Sequence, residues 1–189
     1  MNIGLVGEAP NDTVSIQNLL EKKYDKEKFI FFSMLDRISG SHLDSQKVKR
    51  FLRIEFELKN PDIVVFIRDL DSTSIKGKNM VLRKSYFTSS NSVVNKKGVY
   101  LLHIYEIEAL ILSDIEVFNR IYEVDVSEIS NPMLIEEPKE FLKSKSNKYC
   151  ESDNPGVFEQ IRIEKAMTCG YFKLFIKNFD RAISELEKK

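Results

Sequence analysis

The segment Pro61-Asp-Ile-Val-Val-Phe-Ile-Arg-Asp-Leu-Asp71 constrains the fold more than any other part of the chain. Ile63 to Ile67 are five consecutive apolar residues with no polar side, so a strand made from them must be covered on both faces. Strands of that kind belong to parallel sheets sandwiched between helices. Asn60-Pro61 ends whatever helix precedes it, because proline lacks the N–H and clashes with the preceding turn. The run then closes in Asp69-Leu-Asp71, two carboxylates at the carboxyl end of a central strand, which is where α/β sheets gather ligands.

Two further apolar runs end in the same way. Ile3-Gly-Leu-Val-Gly leads to Glu8, with Asp12 four residues on, and Val99 to Tyr105 leads to Glu106 and Glu108. Between these runs, Val14, Ile16, Leu19, Leu20 and Tyr24 predict a helix capped by Asn11 or Asp12. Phe29 to Leu35 predicts a strand, and Ser45 to Lys59 a helix. Residues 72–97 read as a Ser-, Asn- and Lys-rich stretch with a short helix around 78–86. Helical periodicity returns from 106 to 112 and from 114 to 122, then at about 138–146, 156–168 and 171–187. The last of these carries Phe172, Phe175, Ile176, Phe179, Ile183 and Leu186 on one stripe. This order predicts an α/β fold with a mainly parallel four-stranded sheet and C-terminal helices. Residues 1–115 would form the core, and 116–189 a helical extension packed on it, within one domain overall.

A chain of 189 residues supports one sizeable core. No apolar run approaches eighteen residues and no basic leader precedes an apolar stretch, so a cytoplasmic protein without a membrane partner is expected. Cys150 and Cys169 fit no metal-binding spacing and read as reduced thiols, with a single disulfide as the alternative. His42 and His103 are too few for a histidine-based zinc site and read as solvated or packed imidazoles. Net charge is zero, which argues against a protein that coats nucleic acid, but the charge is unevenly placed. Lys76, Lys78, Arg83, Lys84, Lys96 and Lys97 fall between residues 72 and 105 without one acid, whereas 106–137 is strongly acidic. A basic stretch directly after Asp71 is either a phosphate-binding patch or a solvated loop.

Each acid has an ordinary explanation when taken alone. Asp12 is placed to cap a helix, and Asp69-Leu-Asp71 could be a surface turn. Together, strand-end carboxylates converge in space and repel one another unless a cation joins them. Hard cations such as Mg²⁺ take oxygen ligands of this kind. Arg68, neighbour of Asp69, either points to the opposite face or lies beside it at the rim, and a structural ion pair is its simplest role.

Glu8 ending the first strand and Asp69-Leu-Asp71 ending the third, in a β-α-β-α-β unit, resemble the toprim fold. The interval from Glu8 to Asp12 resembles the OLD-type nucleases of that fold. His103-Ile-Tyr-Glu106-Ile-Glu108-Ala-Leu110-Ile-Leu-Ser-Asp114 and Pro138-Lys139 are similar to segments of small toprim proteins of bacterial defence loci, the RloB- or AbiL-like group. The chain has Ala9 where that pattern has a glycine after the first glutamate, and Asp rather than Glu at position 12.

The resemblance implies a Mg²⁺- or Mn²⁺-dependent nuclease that hydrolyses phosphodiester bonds in phage defence. Glu8, Asp69 and Asp71 would be catalytic, and Glu8, Asp12, Asp69, Asp71, Glu108 and Glu106 would hold metal. Lys76, Lys78, Arg83, Lys84 and Lys139 are candidates for binding the phosphates of DNA or RNA. An ABC- or AAA-type ATPase is the partner the resemblance suggests, since the chain has no Gly-x-x-x-x-Gly-Lys-Ser/Thr of its own. Tyr86, Tyr105 and Tyr149 read as packing or stacking residues, because no topoisomerase or primase module accompanies the core. The rival class is a non-catalytic metal-binding or regulatory subunit of a defence complex.

Overall fold

The structure is a computed structural model that describes residues 1–36, 38, 40–72 and 77–188. Four strands, β1 (Asn2–Val6), β2 (Ile30–Ser33), β3 (Ile63–Asp69) and β4 (Gly98–His103), form one parallel sheet in the order β2-β1-β3-β4. β3 lies in the middle and is buried from Ile63 to Arg68, as its unbroken apolar run requires. The architecture is α/β and Rossmann-like.

Side-chain alternation along the strands divides the core in two. Ile3, Leu5, Ile63, Val65, Ile67, Val99 and Leu101 face one way, into a core shared with α1 (Pro10–Leu20) and the C-terminal helices. Those helices are α4 (Ala109–Ser113), α5 (Ile115–Tyr122), α6 (Pro138–Lys145), α7 (Asn154–Phe158), α8 (Ile163–Ala166) and α9 (Gly170–Glu187). Val6, Val64 and Phe66 face the other way, against α2 (Gln46–Lys59) and α3 (Lys78–Val93). The C-terminal helices thus complete the apolar layer over one face of the sheet. Among the described residues no helix is long and apolar enough to cross a membrane.

Among the boundaries that differ from the sequence expectation, three have a clear local reason. α1 is capped by Ala9 rather than by Asn11 or Asp12, with Pro10 at its first position, where a missing N–H costs nothing. Asp12 instead reaches back, its Oδ2 accepting a hydrogen bond from the Ala9 N–H at 3.0 Å. α3 continues to Val93 in spite of its serines, because Ser89 and Ser92 donate their hydroxyls back to the Tyr86 and Thr88 carbonyls. The helix expected over 156–168 is two, α7 and α8. Asp114 accepts the Arg162 N–H at 2.9 Å together with its guanidinium, which holds Arg162 extended and interrupts the helix.

The strand order also fixes where a ligand can enter. β1 connects to β2 on one side and has β3 on its other side, so the chain diverges beyond β1 and β3 and opens a crevice at their carboxyl ends. Glu8 follows β1 there, and Asp69 is the last residue of β3.

Candidate metal and phosphate site

The crevice gathers acids from three separate strand ends. Glu8 Oε1 accepts the Asp69 N–H at 3.3 Å, which ties the loop after β1 to the end of β3. Burial, then the charges of Asp12, Glu8, Glu108 and Asp71, push the Asp69 carboxyl well above the usual carboxylate range. Asp12 is raised to about 7 by burial and by Glu108, with Glu8 and Glu151 adding to the effect against the pull of its bond from Ala9. Glu108 is 4% exposed and is raised by burial, with Glu106 adding to the effect. Glu8, Asp12, Asp69 and Glu108 therefore form one cluster in which negative charge is mutually unfavourable.

Two arginines compensate part of that charge. Arg68, 2% exposed, lies on the α2–α3 side of the sheet with its guanidinium 4.5 Å from the centre of the Tyr86 ring. Its Nε is 2.6 Å from Glu8 Oε1, close but not aligned as a hydrogen bond, and its Nη1 finds no partner among the described residues. The ion-pair role expected for Arg68 is therefore the observed one. Arg83, on α3, donates Nε to the Asp69 carbonyl at 2.6 Å and Nη2 to Asp71 at 2.8 Å, with Glu8 3.7 Å away.

Asp71 departs from simple alternation. β3 ends at Asp69, and Asp71 adopts a left-handed backbone (φ 53°) while its N–H donates to the carbonyl of Tyr105, which is left-handed too. The Asp71 side chain consequently turns to Arg83 at the rim and is more than half exposed. Glu106 is likewise peripheral. Its carboxylate accepts the Lys139 N–H at 3.1 Å and pairs with the Lys139 ammonium at 3.4 Å. Burial of Lys139 is outweighed by Glu106, Glu108 and Glu151, which raise its pKa.

The phosphate-binding candidates are dispersed. Lys76 lies outside the described residues. Arg83 and Lys139 are engaged by acids, while Lys78 and Lys84 are exposed on α3. His103 is fully buried, edge-on to Tyr171, and neither ring nitrogen has a hydrogen-bond partner among the described residues. Burial lowers its pKa to about 3, so it is a packed neutral imidazole, one of the two roles expected of it. Cys150 and Cys169 are both free thiols.

Several supporting residues gave no signal in the sequence. Tyr149 donates its hydroxyl to Asn154 Oδ1 at 2.7 Å, and Asn154 Nδ2 donates to Glu108 Oε1 at 2.9 Å, a buried chain that fixes Glu108. Gly40 lies against Glu8, where a Cβ would come within 2.5 Å of Oε2. Neither contact follows a spacing rule, since each depends on how distant loops meet.

The donor set suits a hard divalent cation, being made of carboxylate oxygens whose mutual repulsion such an ion would relieve. As the side chains stand, no three His, Cys, Asp or Glu groups among the described residues form a ready ligand set. Glu8 and Asp71 are turned toward arginines, so ion binding would require their release. Comparisons with protein-family models, with characterised proteins and with solved structures return no match.

Proposed function

We propose that this crevice binds Mg²⁺ or Mn²⁺ and hydrolyses phosphodiester bonds in nucleic acid. The observation that carries the reading is the cluster of Glu8, Asp12, Asp69 and Glu108, acids from three strand ends at the sheet's switch point, where burial and neighbouring acids push Asp12, Asp69 and Glu108 above the usual carboxylate range. Those four would hold the ions, with Asp71 and Glu106 in the outer ring. When bound, such ions generate a hydroxide nucleophile and stabilise the leaving oxygen. The chain's own contribution is to orient Glu108 through Asn154, while Glu8 would exchange Arg68 for an ion. Arg83 is placed to exchange Asp71 for a phosphate oxygen and to offset negative charge as it develops. The toprim resemblance adds a setting, phage defence beside an ABC- or AAA-type ATPase.

A regulatory module without catalysis is the second reading. It is favoured by the pairing of Glu8 and Asp71 with arginines and by the absence of a ready ligand set among the described residues. Calorimetric titration of Mn²⁺ into wild type and Asp69→Asn, followed by cleavage assays on plasmid DNA and on RNA with and without EDTA, separates the two. Ion binding and cleavage that both vanish in Asp69→Asn support the nuclease. No cleavage of either substrate, with or without ion binding, supports the regulatory module.

A further inference from the structure

α2 and α3 enclose a cleft that starts at the carboxylate rim. Its inner part, about 260 Å³, is lined by Asp71, Arg83, Leu82, Lys49 and Ser89. Its outer part, about 610 Å³, shares Lys49 and Ser89 and adds Arg50, Arg53, Ile54 and Ser92. The two parts form one groove leading away from Asp71.

Charge along the groove is one-sided. The inner end holds Asp44 and Asp71, whereas the outer part has Lys49, Arg50 and Arg53 and no acid. These three bases make no ion pair with any described residue, unlike Arg68 and Arg83 at the rim. Lys49 and Arg53 are four positions apart on a helix, so they stand on one side about 5–6 Å from each other. α3, forming the opposite wall, contains no acidic residue, and its Ser89 and Ser92 donate their hydroxyls to their own helix backbone. The rims are apolar and open to solvent, with Ile54 59% and Leu82 55% exposed.

We infer that the α2–α3 groove binds a single-stranded nucleic acid and leads it to the carboxylate rim. Uncompensated bases match a phosphate backbone, and exposed apolar rims match base faces that a duplex would keep stacked inside. This assignment rests on the nuclease reading for its purpose but makes a separate physical claim. It moves the phosphate-binding surface from the bases that follow Asp71 to three bases of α2.

The test is fluorescence anisotropy with the full chain in EDTA, where no metal-dependent cleavage occurs, using labelled single-stranded DNA and RNA and a DNA duplex across a salt series. Wild type should bind single strands at least tenfold more tightly than the duplex. Arg50→Gln/Arg53→Gln should lose at least about tenfold in affinity, and its log–log salt slope should be shallower by about 1.4, two contacts at about 0.7 each. Both side chains are exposed, so the melting temperature should be unchanged, and Arg50→Lys/Arg53→Lys should restore most of the binding. An unchanged slope in the Gln variant, duplex binding as tight as single-strand binding, or full competition by polyglutamate would overturn the groove as a strand-binding site. Groove-dependent binding without cleavage in Mg²⁺ or Mn²⁺ would instead remove the nuclease reading and leave the groove.

Discussion

Asp69 and Asp12 are placed where their charges work against the fold. For Asp12 the sign is direct: its folded-state value of about 7 lies above the 3.8 expected of an unfolded chain. Its contribution to stability is complete below about pH 4 and is lost as pH rises to about 7. Asp69 and Glu108 shift in the same direction. Metal-free protein should therefore melt at progressively lower temperature between pH 5 and 8, and Asp69→Asn should raise the melting temperature at pH 8 and flatten that dependence. The same variant should lower metal-dependent cleavage by about 100-fold or more. Calorimetric melting across pH checks the first expectation, and a steeper dependence in Asp69→Asn would show that the carboxylates do not oppose one another. Gly40 offers a second residue-level test. A methyl group there meets the Glu8 carboxylate, so Gly40→Ala should weaken Mn²⁺ binding and destabilise by about 1–3 kcal/mol, the usual penalty of overpacking. Mn²⁺ titration with wild-type affinity in this variant would mean that Glu8 is not a ligand.

Among the elements, what the sequence made legible follows from which rules are local. β3 declares itself because five apolar residues in a row admit few other placements, and α2 because Ser45 caps it and Asn60-Pro61 stops it. The first carboxylates were legible as strand ends for the same reason. Position 71 was not, since period-two alternation stops at Asp69 and the left-handed backbone two residues on depends on the Tyr105 carbonyl of the neighbouring loop. Arg162 broke an apparent helix through its bonds to Asp114, a partner no periodicity reveals. The Tyr149–Asn154–Glu108 chain was hidden in the same way, because α7 reaches Glu108 only after the C-terminal helices have folded over the sheet. That chain predicts that Asn154→Ala leaves the Tyr149 hydroxyl and Glu108 without their buried partner. It should cost about 1–3 kcal/mol in urea unfolding and lower ion affinity, whereas an exposed substitution at the end of α7 such as Glu159→Ala, at its C-cap, should do neither. Equal effects of the two would make Asn154 an ordinary helix residue.

At the scale of the whole molecule, the sheet order brings together side chains that separate helices then hold apart in charge. The C-terminal helices cover one face and fix Glu108, while α2 and α3 cover the other and supply Arg83 and the basic groove. An ion entering the crevice would thus relieve repulsion among groups contributed by most of the fold, and its binding free energy would appear as global stability. Because its ligands must be deprotonated, binding should release protons. The rise in melting temperature caused by 1 mM Mn²⁺ should consequently be larger at pH 8 than at pH 6, where Asp12, with a value of about 7, is mostly protonated. Asp12→Asn should narrow the difference between the two pH values by removing one of the titrating ligands. A metal-induced shift that is equal at both pH values in wild type would place the ion elsewhere, on surface acids that titrate well below either pH, and would separate the carboxylate rim from metal chemistry.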